Sequence, residues 1–263
     1  MVFTSPGEIA FGVFGYQIRW YGIFMFLAIL GGIFLVKYLA KRFYREYSED
    51  FLIDLSLVLV VSGIVGARLY YVLMDFGYYL RHPLEIFAVW QGGLSIHGAI
   101  IGAVIAGGLF VRKNGFSFLK TADLFTFGLV FGQMLGRWGN FFNSEAFGLP
   151  CDLPWKLYIP FESRPLGYIF YDYFHPAFLY ESLCSLIILI ILLCLRFRFK
   201  EIKSGTIFFL YLVLSSCVRI VIETIRLDSV LSFGPFHIAH IVGGVLVLTG
   251  IIGLVFVSRK ENC

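Results

Sequence analysis

Residues 186–195 read LIILIILLCL, and this stretch decides the class of fold. It contains no alternation of polar and apolar residues, which excludes a strand of a membrane β-barrel. In hydrocarbon a helix satisfies its own backbone hydrogen bonds, whereas an isolated strand leaves them unpaired. The stretch therefore predicts a membrane-spanning helix.

The composition of the whole chain agrees with this stretch. Of 263 residues, 59% are hydrophobic and 14% are charged, whereas a soluble domain carries about 25% charged residues. Apolar runs long enough to cross a hydrocarbon layer of ~30 Å lie near residues 17–37, 51–73, 93–111, 121–138, 177–195, 206–225 and 236–257. We predict an all-α polytopic membrane protein with seven transmembrane helices, in which residues 1–263 form a single domain.

The basic residues predict the orientation of these spans. Thirteen Lys and Arg residues lie in one set of connections and tail, at 37, 41, 42, 45, 112, 113, 120, 196, 198, 200, 203, 259 and 260. The opposite loops hold three, at 81, 156 and 164. Basic residues concentrate on the cytoplasmic side of membrane proteins. We therefore expect the N-terminus outside and the C-terminus in the cytoplasm. The N-terminus has no basic region before its apolar residues, so we do not predict a cleaved signal peptide.

Metal and disulfide chemistry receive little support from the sequence. Five cysteines follow no paired or metal-binding spacing, and those in apolar runs are typical of small buried side chains. His237 and His240 have no acidic or cysteine partner nearby, and we predict no metal site. We also find no glycine-rich phosphate loop or dinucleotide fingerprint, and no cofactor is expected.

Several polar residues lie inside the predicted spans at one depth. At 1.5 Å per residue, Arg68, Arg137 and Arg219 lie ~20 to ~25 Å from the cytoplasmic start of their helices, and Tyr21 and His97 come to the same level. Each arginine could instead extend separately towards the lipid headgroups. That alternative is stronger for residues at span ends, including Arg226.

A polar face on the sixth span favours a site. Glu223 and Arg226 follow Arg219 at four and seven residues, on one face of a helix. A guanidinium bonds two phosphate oxygens at once, and the abundant phosphate at this depth is a phospholipid headgroup. We therefore predict a phospholipid-handling site in the outer leaflet. Rows of small residues, Gly98 with Gly102 and Ala106, and Gly132 with Gly136, predict close helix contacts beneath it.

Five segments resemble one family of enzymes. GRWGNFFNSEAFG at 136–148 is similar to the signature of the phosphatidylglycerol–prolipoprotein diacylglyceryl transferases. IRWYG at 18–22, GGLSIHG at 92–98, HPAFLYE at 175–181 and RIVIETIR at 219–226 match in the same order. The resemblance covers nearly the whole chain. It implies a catalytic membrane domain that transfers diacylglycerol from phosphatidylglycerol to the thiol of a lipobox cysteine, with release of glycerol phosphate.

The resemblance also implies partners and a location. The partners are phosphatidylglycerol, the signal peptide of a prolipoprotein with its lipobox cysteine, and membrane lipids, without nucleic acid. The location is the bacterial cytoplasmic (inner) membrane, with the active site on the extracytoplasmic side under a small cap at about 139–175. The rival hypothesis is a non-catalytic lipid or solute transporter, but inverted repeats and broken helices are not visible in the sequence.

Residue roles follow from the resemblance together with the depth of the arginines. The expected catalytic residues are His97, Arg137 and Arg219, and the expected substrate-binding residues are Tyr21, Arg68, Asn140, Glu145, Gly148, Glu223 and Arg226. His97 is the candidate base for the thiol proton, although the thiol could lose it to water or another residue while His97 only binds lipid. Gly139 and Gly148 are predicted to permit the turn out of the span. The sequence departs from the family where Phe178 replaces a common glutamine, and where span seven reads HIAH.

Overall fold

The long helices dominate the structure, a computed structural model that describes residues 2–13, 15–199, 201–227, 232–233 and 236–259. Within these ranges, seven helices have at least 18 residues: α1 (Trp20–Phe43), α2 (Glu49–Met74), α4 (Ile96–Lys113), α5 (Phe118–Phe142), α6 (Ala177–Arg198), α7 (Thr206–Glu223) and α8 (Ile238–Arg259). The short helix α3 (Phe76–Arg81) follows α2. Each predicted span thus corresponds to a long helix.

Six of these helices are long and apolar enough to cross a membrane, namely α1, α2, α4, α6, α7 and α8. This confirms a polytopic membrane protein. The remaining helix, α5, has 25 residues but carries Lys120, Asp123 and Arg137, and it does not meet the same hydropathy criterion. A seventh crossing therefore stays a prediction.

The described residues are mostly helical, as expected of an all-α chain, and they also form short strands. Strand β1 (Phe3–Thr4) pairs in parallel with β4 (Leu157–Tyr158), which pairs antiparallel with β5 (Tyr173–Phe174). Strands β2 (Ile9–Val13) and β3 (Tyr16–Arg19) form a hairpin before α1, and β6 (Ser232–Phe233) pairs with β7 (Phe236–His237) before α8. These connecting segments satisfy their backbone groups by pairing where no helix does so.

The chain divides into two compact units. The first unit comprises residues 1–36 and 122–263, and the second comprises residues 37–121. In the second unit, α2 and α4 cross at glycines, because a Cβ on Gly98 would lie 2.2 Å from the Gly66 carbonyl oxygen. A Cβ on Gly102 would lie 2.4 Å from the Ser62 carbonyl oxygen. The predicted small-residue row on this helix is confirmed at these two positions.

In the first unit, glycines also bring α1 and α5 together. A Cβ on Gly128 would lie 3.1 Å from the Gly32 carbonyl oxygen. The predicted row at Gly132 and Gly136 is wrong at its first member, because among the described residues nothing lies within 4 Å of a Cβ built on Gly132. A Cβ on Gly136 meets only the Met25 sulfur, at 3.8 Å.

Helices α5 and α7 are tied at two levels within the first unit. The buried Asp123 of α5 accepts hydrogen bonds from the backbone N–H groups of Gly205 and Phe208, at 2.6 and 2.8 Å. These donors lie at the start of α7, where backbone N–H groups lack helical acceptors. Ten residues along α5, the Gln133 amide donates to the Tyr211 hydroxyl at 2.8 Å.

The segment predicted as a cap contains short strands and turns of its own. It begins after Phe142, where α5 ends, and contains β4, β5 and two short 3-10 turns at Phe161–Ser163 and Leu166–Tyr168. Its core consists of Phe141, Phe147, Leu157, Ile159, Phe174 and Phe178, all buried. The departure at Phe178 is thereby explained, since this ring packs against Trp138 and Phe141 in the core.

Candidate functional site

One buried carboxylate in the first unit contacts three arginines. Glu181 of α6 is 6% exposed, and its Oε2 forms an ion pair with Nη2 of Arg137 from α5. Its Oε1 accepts hydrogen bonds from Nη1 of Arg226 at 2.9 Å and from Nη1 of Arg219 at 3.4 Å. Arg219 also pairs with Glu223 one turn along α7, at 2.7 Å between Nη2 and Oε2. These five side chains carry three positive and two negative charges.

Accessibility separates the arginines into two groups. The side chains of Arg137 and Arg219 are 30% and 34% exposed, whereas that of Arg226 is 10% exposed. Arg137 and Arg219 are therefore the more accessible members of the cluster, while Arg226 lies against Glu181 with little exposed surface. A guanidinium fork already oriented by a carboxylate is a preorganised partner for phosphate.

Hydrogen bonds between helices place these charges. The Ser182 hydroxyl, next to Glu181, donates to the Met134 carbonyl of α5 at 2.9 Å. This contact fixes α6 beside α5 one turn before Arg137. Arg226 lies beyond the end of α7, where it forms an antiparallel bridge with Gly148. The backbone of the signature segment thus sets the position of Arg226.

Gly148 is a point of close backbone approach. Its N–H donates to the His175 carbonyl at 2.9 Å, and the next N–H, of Leu149, donates to the Ile225 carbonyl at 2.8 Å. A Cβ on Gly148 would lie 2.8 Å from that Ile225 oxygen. Only glycine fits between these two backbone segments, so the structure supports a packing role for Gly148. The substrate contact expected of Gly148 stays a prediction.

The turn out of α5 differs from the predicted one. The residues with positive φ are Ser144 and Ala146, each at 54°, and neither Gly139 nor Gly148 is among the described residues with positive φ. Asn140 reaches across the turn, with its amide 3.4 Å from Glu145 Oε2. The exposed Glu145 carboxylate also accepts from the Asn143 amide at 3.4 Å. Asn140 and Glu145, predicted as separate ligands, are therefore neighbours.

Tyr21 lies beside this turn. Its ring covers Gly139, where a Cβ would come within 2.6 Å of Tyr21 Cδ2. The adjacent Trp20 stacks on Phe142 with ring centroids 4.8 Å apart. Two aromatic residues at the start of α1 thus pack on the end of α5, which carries Arg137 and Asn140.

His97 and Arg68 lie in the second unit. His97 is exposed in the first turn of α4, with its ring centroid 6.0 Å from that of Tyr70. Arg68 is 6% exposed and hydrogen bonds to backbone carbonyl groups of the connection before α4. The predicted convergence of these two residues with the arginine cluster involves both units and stays a prediction.

Sequence reasoning missed Glu181, the residue on which the cluster centres. The HPAFLYE segment indicated only a match to the family, and no site role was predicted for Glu181. The available signal was its isolation, since no other charged residue occurs between Ala177 and Leu195. An acidic residue inside an apolar span normally has a partner and a function. The side chain of His237 lies outside the described residues, and so does the prediction that His237 and His240 form no metal site.

Comparison with known proteins identifies relatives along almost the entire chain. The model of a family described as prolipoprotein diacylglyceryl transferase matches residues 8–256. The phosphatidylglycerol–prolipoprotein diacylglyceryl transferase of Acaryochloris marina is 49% identical, over 96% of this chain and 91% of that protein. The enzymes of the same name from Nostoc sp. and Thermotoga maritima are 46% and 43% identical, over 99% and 96% of this chain and over 93% and 85% of those proteins.

Proposed function

The chain belongs to the prolipoprotein diacylglyceryl transferase family, and we propose that it transfers the diacylglyceryl group of phosphatidylglycerol to the lipobox cysteine of a prolipoprotein. The cysteine sulfur attacks the glycerol methylene carbon that carries the phosphate oxygen. A carbon–sulfur bond forms, the carbon–oxygen bond breaks, and glycerol phosphate leaves with the electron pair. The thiol proton passes to a base, and the reaction needs no cofactor.

The observation that carries this proposal is the arginine cluster around Glu181. Its five named side chains have a formal charge of +1, which a phosphodiester monoanion balances. As the carbon–oxygen bond breaks, a second negative charge develops on the leaving phosphate, and arginines aimed at that oxygen stabilise the transition state. Arg137 and Arg219 act as the phosphate clamp, because they are the more accessible members of the cluster.

The other residues have supporting roles in this proposal. Asn140 at the end of α5, Glu145 in the following turn and Tyr21 beside that turn orient the glycerol headgroup. Glu223 fixes Arg219 by its ion pair of 2.7 Å. His97 takes the proton of the thiol, whose ordinary pKa of about 8.5 lies roughly two units above that of an imidazole. The assignment of His97 is supported by the similarity of its GGLSIHG segment to the family.

We propose that the site faces the extracytoplasmic side of the bacterial cytoplasmic (inner) membrane, with seven spans and the N-terminus outside. Basic residues fill the last turns of α1, α4 and α6, at Lys41, Arg42, Arg112, Lys113, Arg196 and Arg198. In α6, Glu181 lies fifteen residues before Arg196, or about 22 Å along the helix. The arginine cluster is therefore at the end of α6 opposite to the basic residues, which supports this orientation.

Incubation of the purified protein with phosphatidylglycerol and a lipobox peptide tests the proposal. Mass spectrometry should show a gain of one diacylglyceryl group on the peptide cysteine, together with one released glycerol phosphate per adduct. A peptide with serine in place of the cysteine serves as the matched control and should remain unmodified. Absence of the adduct beside an active relative would exclude the transferase. The transporter hypothesis is not favoured, because the matching family and relatives are transferases.

A further inference from the structure

Arg68 makes a set of contacts that the proposed phosphate clamp does not use. Its Nε donates to the Ile86 carbonyl at 2.9 Å, and its Nη1 donates to the carbonyls of Gly92 and Gly93 at 2.8 and 3.0 Å. Its Nη2 donates to the Glu85 carbonyl. A guanidinium has five N–H donors, so four of them bind main-chain oxygens. Little of this group is left to bind a phosphate.

These acceptors belong to two separate turns of the connection between α3 and α4. Glu85 and Ile86 lie in the 3-10 turn Pro83–Phe87, whereas Gly92 and Gly93 follow it with φ of 93° and 69°. The Glu85 carbonyl also accepts the Ala88 N–H within its turn, at 3.0 Å. Because one guanidinium donates to carbonyl groups of both turns, Arg68 joins them.

Two aromatic rings and the Gly93 backbone also lie against the guanidinium. The rings of Tyr71 and Tyr79 lie 5.9 and 5.3 Å from its Cζ, within the range of cation–π contacts. A Cβ on Gly93 would lie 2.5 Å from Nη1 of Arg68. No side chain at position 93 is compatible with the observed place of Arg68.

The same run of α2 fixes the residues that lead to His97. The Ser95 N–H donates to the Ala67 carbonyl at 3.1 Å, and Gly98 packs directly on Gly66. Residues 66, 67 and 68 thus hold the chain at three successive points between Gly92 and Gly98. His97 stands at the end of this held segment, in the first turn of α4.

We infer that Arg68 is a positioning residue, which acts on the transfer reaction by holding the Gly92–Gly98 segment and thereby placing His97. This inference rests on the role of His97 in the proposed function. It assigns to Arg68 an effect on the chemical step rather than on lipid affinity. Displacing a reacting group by about 1 Å can slow a reaction by roughly a hundredfold.

The test is a double-mutant cycle between Arg68→Gln and His97→Gln, with kcat and KM for phosphatidylglycerol measured for each variant. We expect Arg68→Gln to lower kcat by roughly tenfold to a hundredfold and to leave KM within about threefold. In the double variant, kcat should be no lower than in His97→Gln alone. Arg68→Gln acts only by displacing the His97 imidazole, which His97→Gln has already removed. The inference would be overturned if the fall in kcat of the double variant equalled the product of the two single falls. It would also be overturned if Arg68→Gln raised KM and left kcat unchanged.

Additional variants separate this result from loss of folding. Gly93→Ala displaces the guanidinium without removing it, and it should reproduce the fall in kcat if Arg68→Gln does not fold. Gly115→Ala is the matched control, because Gly115 also has a positive φ, of 75°, and nothing lies within 4 Å of a Cβ at that position in the described structure. An inactive wild type would refute the proposed transferase itself. A fully active His97→Gln would refute the role of His97, and with it the inference.

Discussion

Glu181 organises the candidate site at the scale of single residues. Its two carboxylate oxygens contact arginines from α5, from α7 and from the segment after α7. Without it, three guanidinium groups would repel one another in a largely buried setting. The partners lie 38 and 45 residues away for Arg219 and Arg226, so no local spacing reveals them. The Arg219–Glu223 pair, by contrast, was predictable because residues at i and i+4 share a helix face.

Replacing Glu181 by glutamine tests this organising role. Removal of one partner of a buried ion pair costs about 3–5 kcal/mol, so Glu181→Gln should lower Tm and slow transfer by at least roughly tenfold. Glu46→Gln is a matched control, because its ion pair with Lys120 at 2.6 Å joins side chains that are 39% and 42% exposed. That change should cost less than about 1 kcal/mol. Transfer at the wild-type rate by Glu181→Gln would contradict the model.

Arg137→Lys tests whether the site needs the shape of a guanidinium or only its charge. Lysine keeps the charge but lacks the planar fork that holds Glu181 and a phosphate oxygen together. We expect kcat/KM to fall by roughly two orders of magnitude, or about 2.7 kcal/mol. Arg112→Lys, at the basic end of α4, changes the same chemical group outside the site and should leave kcat/KM unchanged. Comparable kinetics for the two variants would exclude a bidentate clamp.

Helix contacts decide how well glycine patterns can be interpreted at the scale of elements. The row at Gly98 and Gly102 corresponds to a real crossing of α2 and α4, whereas no described residue lies within 4 Å of a Cβ built on Gly132. The spacing of glycines shows that one face of a helix carries small residues, but it does not show whether another helix packs against that face. The third span was predicted to start at residue 93, but α4 starts at Ile96. The positive φ of Gly92 and Gly93 keeps these two residues out of the helix.

Alanine substitutions at two helix glycines should change stability in opposite directions. Gly102→Ala puts a methyl group 2.4 Å from the Ser62 carbonyl oxygen, and overpacking of this kind costs about 1–3 kcal/mol. Gly132→Ala meets no neighbour within 4 Å in the described structure and should gain about 0.5–1 kcal/mol through helix propensity. Thermal unfolding in one detergent provides the comparison. A lower Tm for Gly132→Ala than for Gly102→Ala would refute this account.

At the scale of the whole molecule, hydropathy predicted the long helices because lipid imposes one solution on the backbone. The short strands were not predictable in this way. β1 and β4 are two residues each and pair across about 150 positions of sequence, Phe3 with Leu157. Such contacts join segments that are distant in the sequence, and no local pattern marks them. For the same reason, the sequence does not reveal the arginine partners of Glu181 or the carbonyl groups that accept hydrogen bonds from Arg68.

Labelling with a membrane-impermeant maleimide tests the proposed orientation in a variant whose native cysteines are replaced. Asp152→Cys lies in the cap, at a side chain that is 97% exposed, and should react in cells with an intact inner membrane. Glu201→Cys lies in the exposed connection after α6 and should react only after the membrane is permeabilised. The reverse pattern would show that the orientation is inverted.

The ties between α5 and α7 restrict how substrates can move. Asp123 holds the start of α7, Gln133 holds Tyr211, and Arg137 and Arg219 meet on one carboxylate. Asp123 and Arg137 are fourteen residues apart, or about 21 Å along a helix, and so are Gly205 and Arg219. The two helices are thus linked directly at two heights and at a third through Glu181 of α6. We therefore expect the lipid of the proposed reaction to reach the arginines from a side other than the one between α5 and α7.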